Sequence, residues 1–141
     1  MEDIELARSI LEEERWNLVI VKGGQVLFSS RERGIAPFFH VVQSMGKSLH
    51  SATLADRIVG LAVAKLCLHA RITSVYASVA SQGALDMLKK KRVAASCQNV
   101  VPHISNYDGT DLCPFEKLAG SCQKPSQLFA ALQSLFAKGD Q

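Results

Sequence analysis

The spacing of apolar residues changes repeatedly along this chain, and each change marks an element. In MEDIELARSILEEE, Ile4, Ala7, Ile10 and Leu11 share one face at helical spacing. Glu2, Asp3 and Glu5 suit the positive end of that helix, which is predicted to close near Glu14. The period then becomes that of strands. WNLVIVKGGQVLFSS holds two β-rich runs around Lys22, Gly23 and Gly24, and paired glycines supply the positive φ angles of a tight hairpin turn. Gly34 and Pro37 punctuate a connection, after which PFFHVVQSMGKSL has the spacing of a short helix. Residues 54–70 read as one long helix, apolar on most sides and so covered by other elements.

ITSVYASVA is a buried-strand run, SQGALDMLKKK a helix capped by Ser81, and VAASCQNVV a further strand. That alternation implies a parallel crossover. A polar loop through Asn106 and Gly109 leads into DGTDLCPFEKLAG, which has the marks of a helix start: Cys113 at the N-cap, Pro114 at the first helical position and Glu116 two residues on. Residues 125–140 form an amphipathic helix with Leu128, Leu132, Leu135 and Phe136 on one side. The predicted class is α/β, a three-layer α-β-α arrangement around a mixed sheet of about four or five strands, an antiparallel hairpin followed by parallel crossovers. Residues 1–120 are expected to form the domain, and 121–141 a helix packed on it or used for assembly.

Composition narrows this further. A chain of 141 residues can bury about 70% of its unfolded surface in one core. With 48% apolar and 21% charged residues it has ordinary globular usage. Sixteen Lys and Arg against thirteen Asp and Glu is too even a balance to suggest a nucleic-acid partner, and KKKR at 89–92 reads as the solvated end of a helix whose dipole the cations complement. No basic, apolar leader opens the chain, and no apolar run reaches the about 18 residues of a membrane span. A soluble, cytoplasmic protein with no membrane partner is expected, its Cys67, Cys97, Cys113 and Cys122 reduced. His40, His50, His69 and His103 show no metal-ligand spacing.

The order of elements resembles the cytidine-deaminase-like fold, in which the starts of the central helix and of the next one face each other across the site. In this chain those starts are read as TLADRIVG and ASQGALD. Deaminases of that fold carry His-x-Glu and Pro-Cys-x-x-Cys there, because zinc needs three nitrogen or sulfur ligands and a glutamate to move protons. This chain has Ala55, Asp56 and Arg57 at the first position and Ala80 to Ala84 without cysteine at the second, so neither zinc-dependent deamination nor a metal or other cofactor is expected. More specifically, GIAPF, ADRIVGLAVAKL, VYASVASQGALDML, VPHISN and CPFE resemble a bacterial and archaeal family of unknown function with a deaminase-like fold and no zinc motif. The resemblance runs from about Glu12 to Gly120. Arg57 stands where lysine is usual in that family, and a guanidinium does not supply a deprotonatable amine.

The resemblance implies a pocket more than an activity. Arg57, beside the open N–H groups of converging helices, suits phosphate or carboxylate. Asp56, Arg57, Ser81, Gly34, Pro37 and Asn106 are the expected ligand-binding residues, for a nucleotide-like or other anionic small molecule. Cys113 is either a small buried cap or a thiol activated by its helix, with Glu116 or Asp56 as acid or base. Glu116 is expected to reach back to its own helix cap. A third reading is a homo-oligomer built through the C-terminal helix.

Overall fold

The computed structural model describes residues 2–106 and 108–139. α1 (Asp3–Glu13) is followed by the hairpin β1 (Leu18–Lys22) and β2 (Gln25–Ser30), and then by α2 (Ala36–Met45) with a 3-10 turn at Gly46–Leu49. Next come β3 (Thr53–Val59), α3 (Leu61–His69), β4 (Ser74–Ser81), α4 (Gln82–Lys90) and β5 (Ala94–Val101). α5 (Pro114–Ser121) and α6 (Pro125–Gly139) close the chain. The five strands form one mixed sheet in the order β2-β1-β3-β4-β5. β1 is antiparallel to both β2 and β3, whereas β3, β4 and β5 run parallel. The expected three-layer α/β class with a mixed sheet is therefore the fold observed.

The sheet divides the core. On β1, Leu18 and Ile20 face the side covered by α2, α3, α4 and α6, while Val19 and Val21 face α1. A strand covered on both faces reads as a continuous apolar run, which is why LVIVK shows no polar alternation. Ala7 and Leu11 of α1 close the smaller core over Val19, Val21, Ala55 and Tyr76. The terminal helix is part of the larger core, since Leu128 and Leu132 are fully buried against α3, while Leu135 on its outer side stays half exposed.

Residues 54–70 correct the expectation of one long helix. Their first part is β3, and the helix begins only at Leu61 with Gly60 as its N-cap. An apolar run such as TLADRIV has no period that distinguishes a doubly covered strand from a buried helix, and its place between β1 and β4 decides the matter. The hairpin, in contrast, follows its glycines. Gly23 and Gly24 have φ of 58° and 79°, the signs a two-residue type I′ turn requires. Their N–H groups both donate to the carboxylate of Asp3, at 2.9 Å each.

Ser81 caps α4 as expected, its hydroxyl accepting from the Ala84 N–H at 3.2 Å. Ser81→Ala is expected to lower stability by about 1 kcal/mol and Ser81→Gly by only a few tenths, because a bare N-cap remains accessible to the glycine backbone. Urea unfolding of the two variants measures this; equal losses contradict it.

Candidate functional site

A cleft of about 510 Å³ opens at the carboxyl end of β3, between the loop after β2 and the start of α5. This is the end of a parallel strand at which open α/β sheets take ligands. Its apolar walls include Leu18, Ile35, Ile58, Val63, Ile104 and Phe115. Of the residues singled out from sequence, Gly34, Asp56, Arg57, Cys113 and Glu116 line it, whereas Ser81, Pro37 and Asn106 do not. Ser81 borders a smaller hollow of about 240 Å³ on the other side of Glu116. Pro37 is buried in the first turn of α2. Asn106 shapes its own loop by accepting from the N–H groups of Thr110 and Asp111.

Asp56 and Arg57 diverge because consecutive strand residues point to opposite faces. The Arg57 guanidinium lies on the α1 side, where it donates to the carbonyls of Leu11 at 2.7 Å and Trp16 at 2.9 Å and so ties the end of α1 to β3. This corrects its expected place at a helix start and its role as an anion ligand: its side chain is spent on structure. Asp56 faces the cleft. Among the described residues it has no ion-pair partner. The residue is half-buried by overall exposure, yet its carboxyl is enclosed, and loss of solvation pushes its pKa up to about 7 against smaller opposing hydrogen bonds from the N–H groups of Ile58 and Arg57. The geometry of enclosure outweighs those two bonds because neither brings a positive charge. Burial, with the nearby Asp56 charge second, pushes the Cys67 thiol well up.

Glu116 does something the sequence did not suggest. It accepts from the N–H groups of Leu61 and Ala62, at 2.8 Å each, and so caps α3 rather than its own helix. Gly60 makes room for it, since a Cβ there would fall 1.7 Å from Glu116 Oε1 and 2.7 Å from Ile104 Cγ1. In return Lys65, the one charged residue in the run LAVAKLCLH, donates to the carbonyls of Ala119 and Cys122 at 2.6 Å each and caps the end of α5. Each helix therefore receives from the other the charge that its dipole favours. These contacts engage the first N–H groups of α3, which had been expected to hold an anion, and tie the Glu116 carboxylate to them. Cys113 is the N-cap of α5, with no side-chain capping bond, and stands in the cleft wall. Among the described residues no three His, Cys, Asp or Glu side chains are grouped so as to hold a metal ion.

The fold and cleft define a small α/β protein whose pocket is lined by the carboxylates of Glu32, Asp56 and Glu116, of which Glu116 is taken up by the start of α3. The chain belongs to the family described as TM1506, a domain of unknown function (DUF1893), whose model matches residues 6–136. The match reaches into α6, beyond the limit at Gly120 that the sequence motifs marked. The chain is similar to the crystal structure of a DUF1893 family protein, TM1506, from Thermotoga maritima, with 25% identity, a TM-score of 0.83, and 94% of this chain and 88% of that chain covered. A diaminohydroxyphosphoribosylaminopyrimidine deaminase/5-amino-6-(5-phosphoribosylamino)uracil reductase from the same organism aligns at 14% identity and a TM-score of 0.49, over 82% of this chain and 38% of that one. No curated protein matches the chain. No helix among the described residues is long and apolar enough to cross a membrane.

Two outcomes follow from this geometry. Glu116→Ala leaves two N–H groups of α3 without a partner, and at about 1–3 kcal/mol for each buried unsatisfied group it is expected to lower stability by about 2–6 kcal/mol. Glu116→Gln keeps one acceptor and loses less; denaturant unfolding that ranks the two the other way contradicts the capping role. The raised Asp56 pKa fixes a sign for pH. The folded state holds this proton more tightly than the unfolded one, so the contribution is full below 3.8 and is lost as pH rises towards about 7. At about 1.4 kcal/mol per pKa unit the loss is bounded at a few kcal/mol. Asp56→Asn is expected to flatten that slope, and an unchanged stability-pH curve counts against an enclosed carboxyl.

Proposed function

We propose that the protein binds a small, planar, nitrogen-bearing ligand of the nucleobase or nucleotide class in this cleft, with Asp56 as its recognition group. The observation that carries the reading is the Asp56 carboxyl, which lines the cleft, has no ion-pair partner among the described residues and has its pKa raised by loss of solvation. Such a group is stabilised by a ligand that donates N–H bonds to it, and a base edge bearing adjacent donors matches the two oxygens of a carboxylate. The apolar walls suit the faces of a flat ring. Arg33, exposed at the rim, is the cation left to meet a ligand phosphate, because Arg57 is committed to α1. On this reading the anionic part of the ligand lies at the mouth rather than at the start of α3.

Cys113 in the same wall supports a second reading, a thiol-dependent enzyme with Asp56 as its acid or base. It requires Cys113 to react with iodoacetamide faster than an unfolded-peptide thiol at neutral pH, and a slow reaction removes it. An assembly role has weaker support, since α6 presents its most buried leucines to its own core.

Thermal shift with free nucleobases, nucleosides and nucleotides tests the binding reading. A ligand at about 100 times its dissociation constant stabilises by about 2.7 kcal/mol. Its affinity is expected to rise with pH through about 7, as Asp56 ionises, and to fall in Asp56→Asn. No shift with any of these compounds, or a shift that Asp56→Asn leaves intact, rejects the proposal.

A further inference from the structure

The end of the sheet opposite the cleft gathers positive charge that the linear sequence disperses. Four connections meet there: the β1–β2 turn, the 3-10 turn before β3, the α3–β4 loop and the α4–β5 loop. They carry Lys22, Lys47, Arg71 and the run Lys89, Lys90, Lys91 and Arg92, all exposed. The loops are stitched side by side. Lys22 Nζ donates to the Ser48 carbonyl at 3.3 Å, Ser51 N–H to the Arg71 carbonyl at 2.9 Å, and Ala94 N–H to the Thr73 carbonyl at 3.2 Å. Because β1, β3, β4 and β5 are neighbours at about 4.8 Å per strand, the cations form a row about 15 Å long.

Helix dipoles do not account for this charge. α2, α3 and α4 end here, and three helix C-termini together carry about one and a half negative charges, far fewer than the cations present. No Asp or Glu lies in residues 46–51, 71–74 or 89–94. The acids near this end are Glu2, Asp3 and Glu5 at the start of α1 beside the hairpin, with Asp3 held by the turn N–H groups, and Asp86 of α4, one turn before Lys90, which accepts from Gln82 Nε2. Arg71 and Arg92 each follow a helix in the left-handed region, with φ of 59° and 64°, where glycine is the favoured residue. The fold thus carries arginine at both crossover positions against backbone preference, as it also does at Arg15 after α1, where φ is 58°.

We infer that this row is a docking surface for the phosphate backbone of a nucleic-acid duplex, read without base specificity. A line of exposed cations matches a phosphodiester track. The four loops hold no Phe, Tyr or Trp to stack on bases or to anchor in lipid, so both single-strand stacking and membrane insertion lack their usual side chains. The even overall charge, which argued against such a partner, hides the feature because residues 46–51, 71–74 and 89–94 carry cations and no acid. The inference is independent of the cleft ligand.

Fluorescence anisotropy with labelled duplex DNA and duplex RNA across a salt series tests it. Binding is expected at low salt, weakening as salt rises, and each lost phosphate contact lowers the log-log slope by about 0.9 for DNA. The double variant Arg71→Gly, Arg92→Gly keeps or gains thermal stability, as glycine suits both positions, and lowers the slope by about 1.8. Lys89→Gln with Lys90→Gln lowers it equally without touching those backbones, while Lys117→Gln, at the cleft end in the first turn of α5, leaves it unchanged. No binding to either duplex, an unaltered slope in both double variants, or binding only to phosphatidylserine vesicles overturns the inference.

Discussion

The reciprocal capping of α3 and α5 holds the cleft open in its present shape. Glu116 supplies negative charge at the first N–H groups of α3, and Lys65 supplies positive charge at the last carbonyls of α5. Both side chains are buried, where an unpaired charge costs far more than on the surface. Neither group neutralises the other directly; each is answered by the end of the opposing helix. The two helices are thereby locked in register, start beside start, and the wall that carries Cys113 and Phe115 is fixed relative to β3. The absence of a side chain at Gly60 is the steric condition for this lock.

The second determinant is the alternation along β3. A single peptide step separates Asp56 from Arg57, yet the pleat sends one into the cleft and the other beneath α1. The pleat keeps the guanidinium away from the carboxylate, and loss of solvation at Asp56 raises its pKa to about 7. The ionisation state of the cleft is therefore set by secondary structure as much as by residue identity.

Much of the fold could be read where a residue answers to its own neighbours in the chain. Gly23 and Gly24 marked the hairpin through φ alone, Ser81 marked a helix cap, and Cys113 with Pro114 marked the start of α5. The readings that went astray concern residues whose partners are distant in the chain. Gly60 lay inside the helix read over residues 54–70, but its requirement comes from Glu116; Arg57 answers to Leu11 and Trp16; Glu116 answers to Leu61 and Ala62. Two signals were present and unused. Ile58 and Val59, both β-branched, run into Gly60, the mark of a strand ending at a helix cap, and Lys65 is a lone charge in an otherwise apolar helix, which demands a buried partner.

The clamp of Asp3 on the β1–β2 turn has a bearing on the order of assembly. With Asn17 donating to the Arg31 carbonyl and Arg31 donating to that of Glu14 at 3.1 Å, it closes α1, β1 and β2 into a unit whose ties span no more than 21 residues. Short loops lose little chain entropy on closure, so this amino-terminal unit can gather before the parallel strands, which must await their long crossovers. The antiparallel half then serves as the template edge on which β3 is laid down.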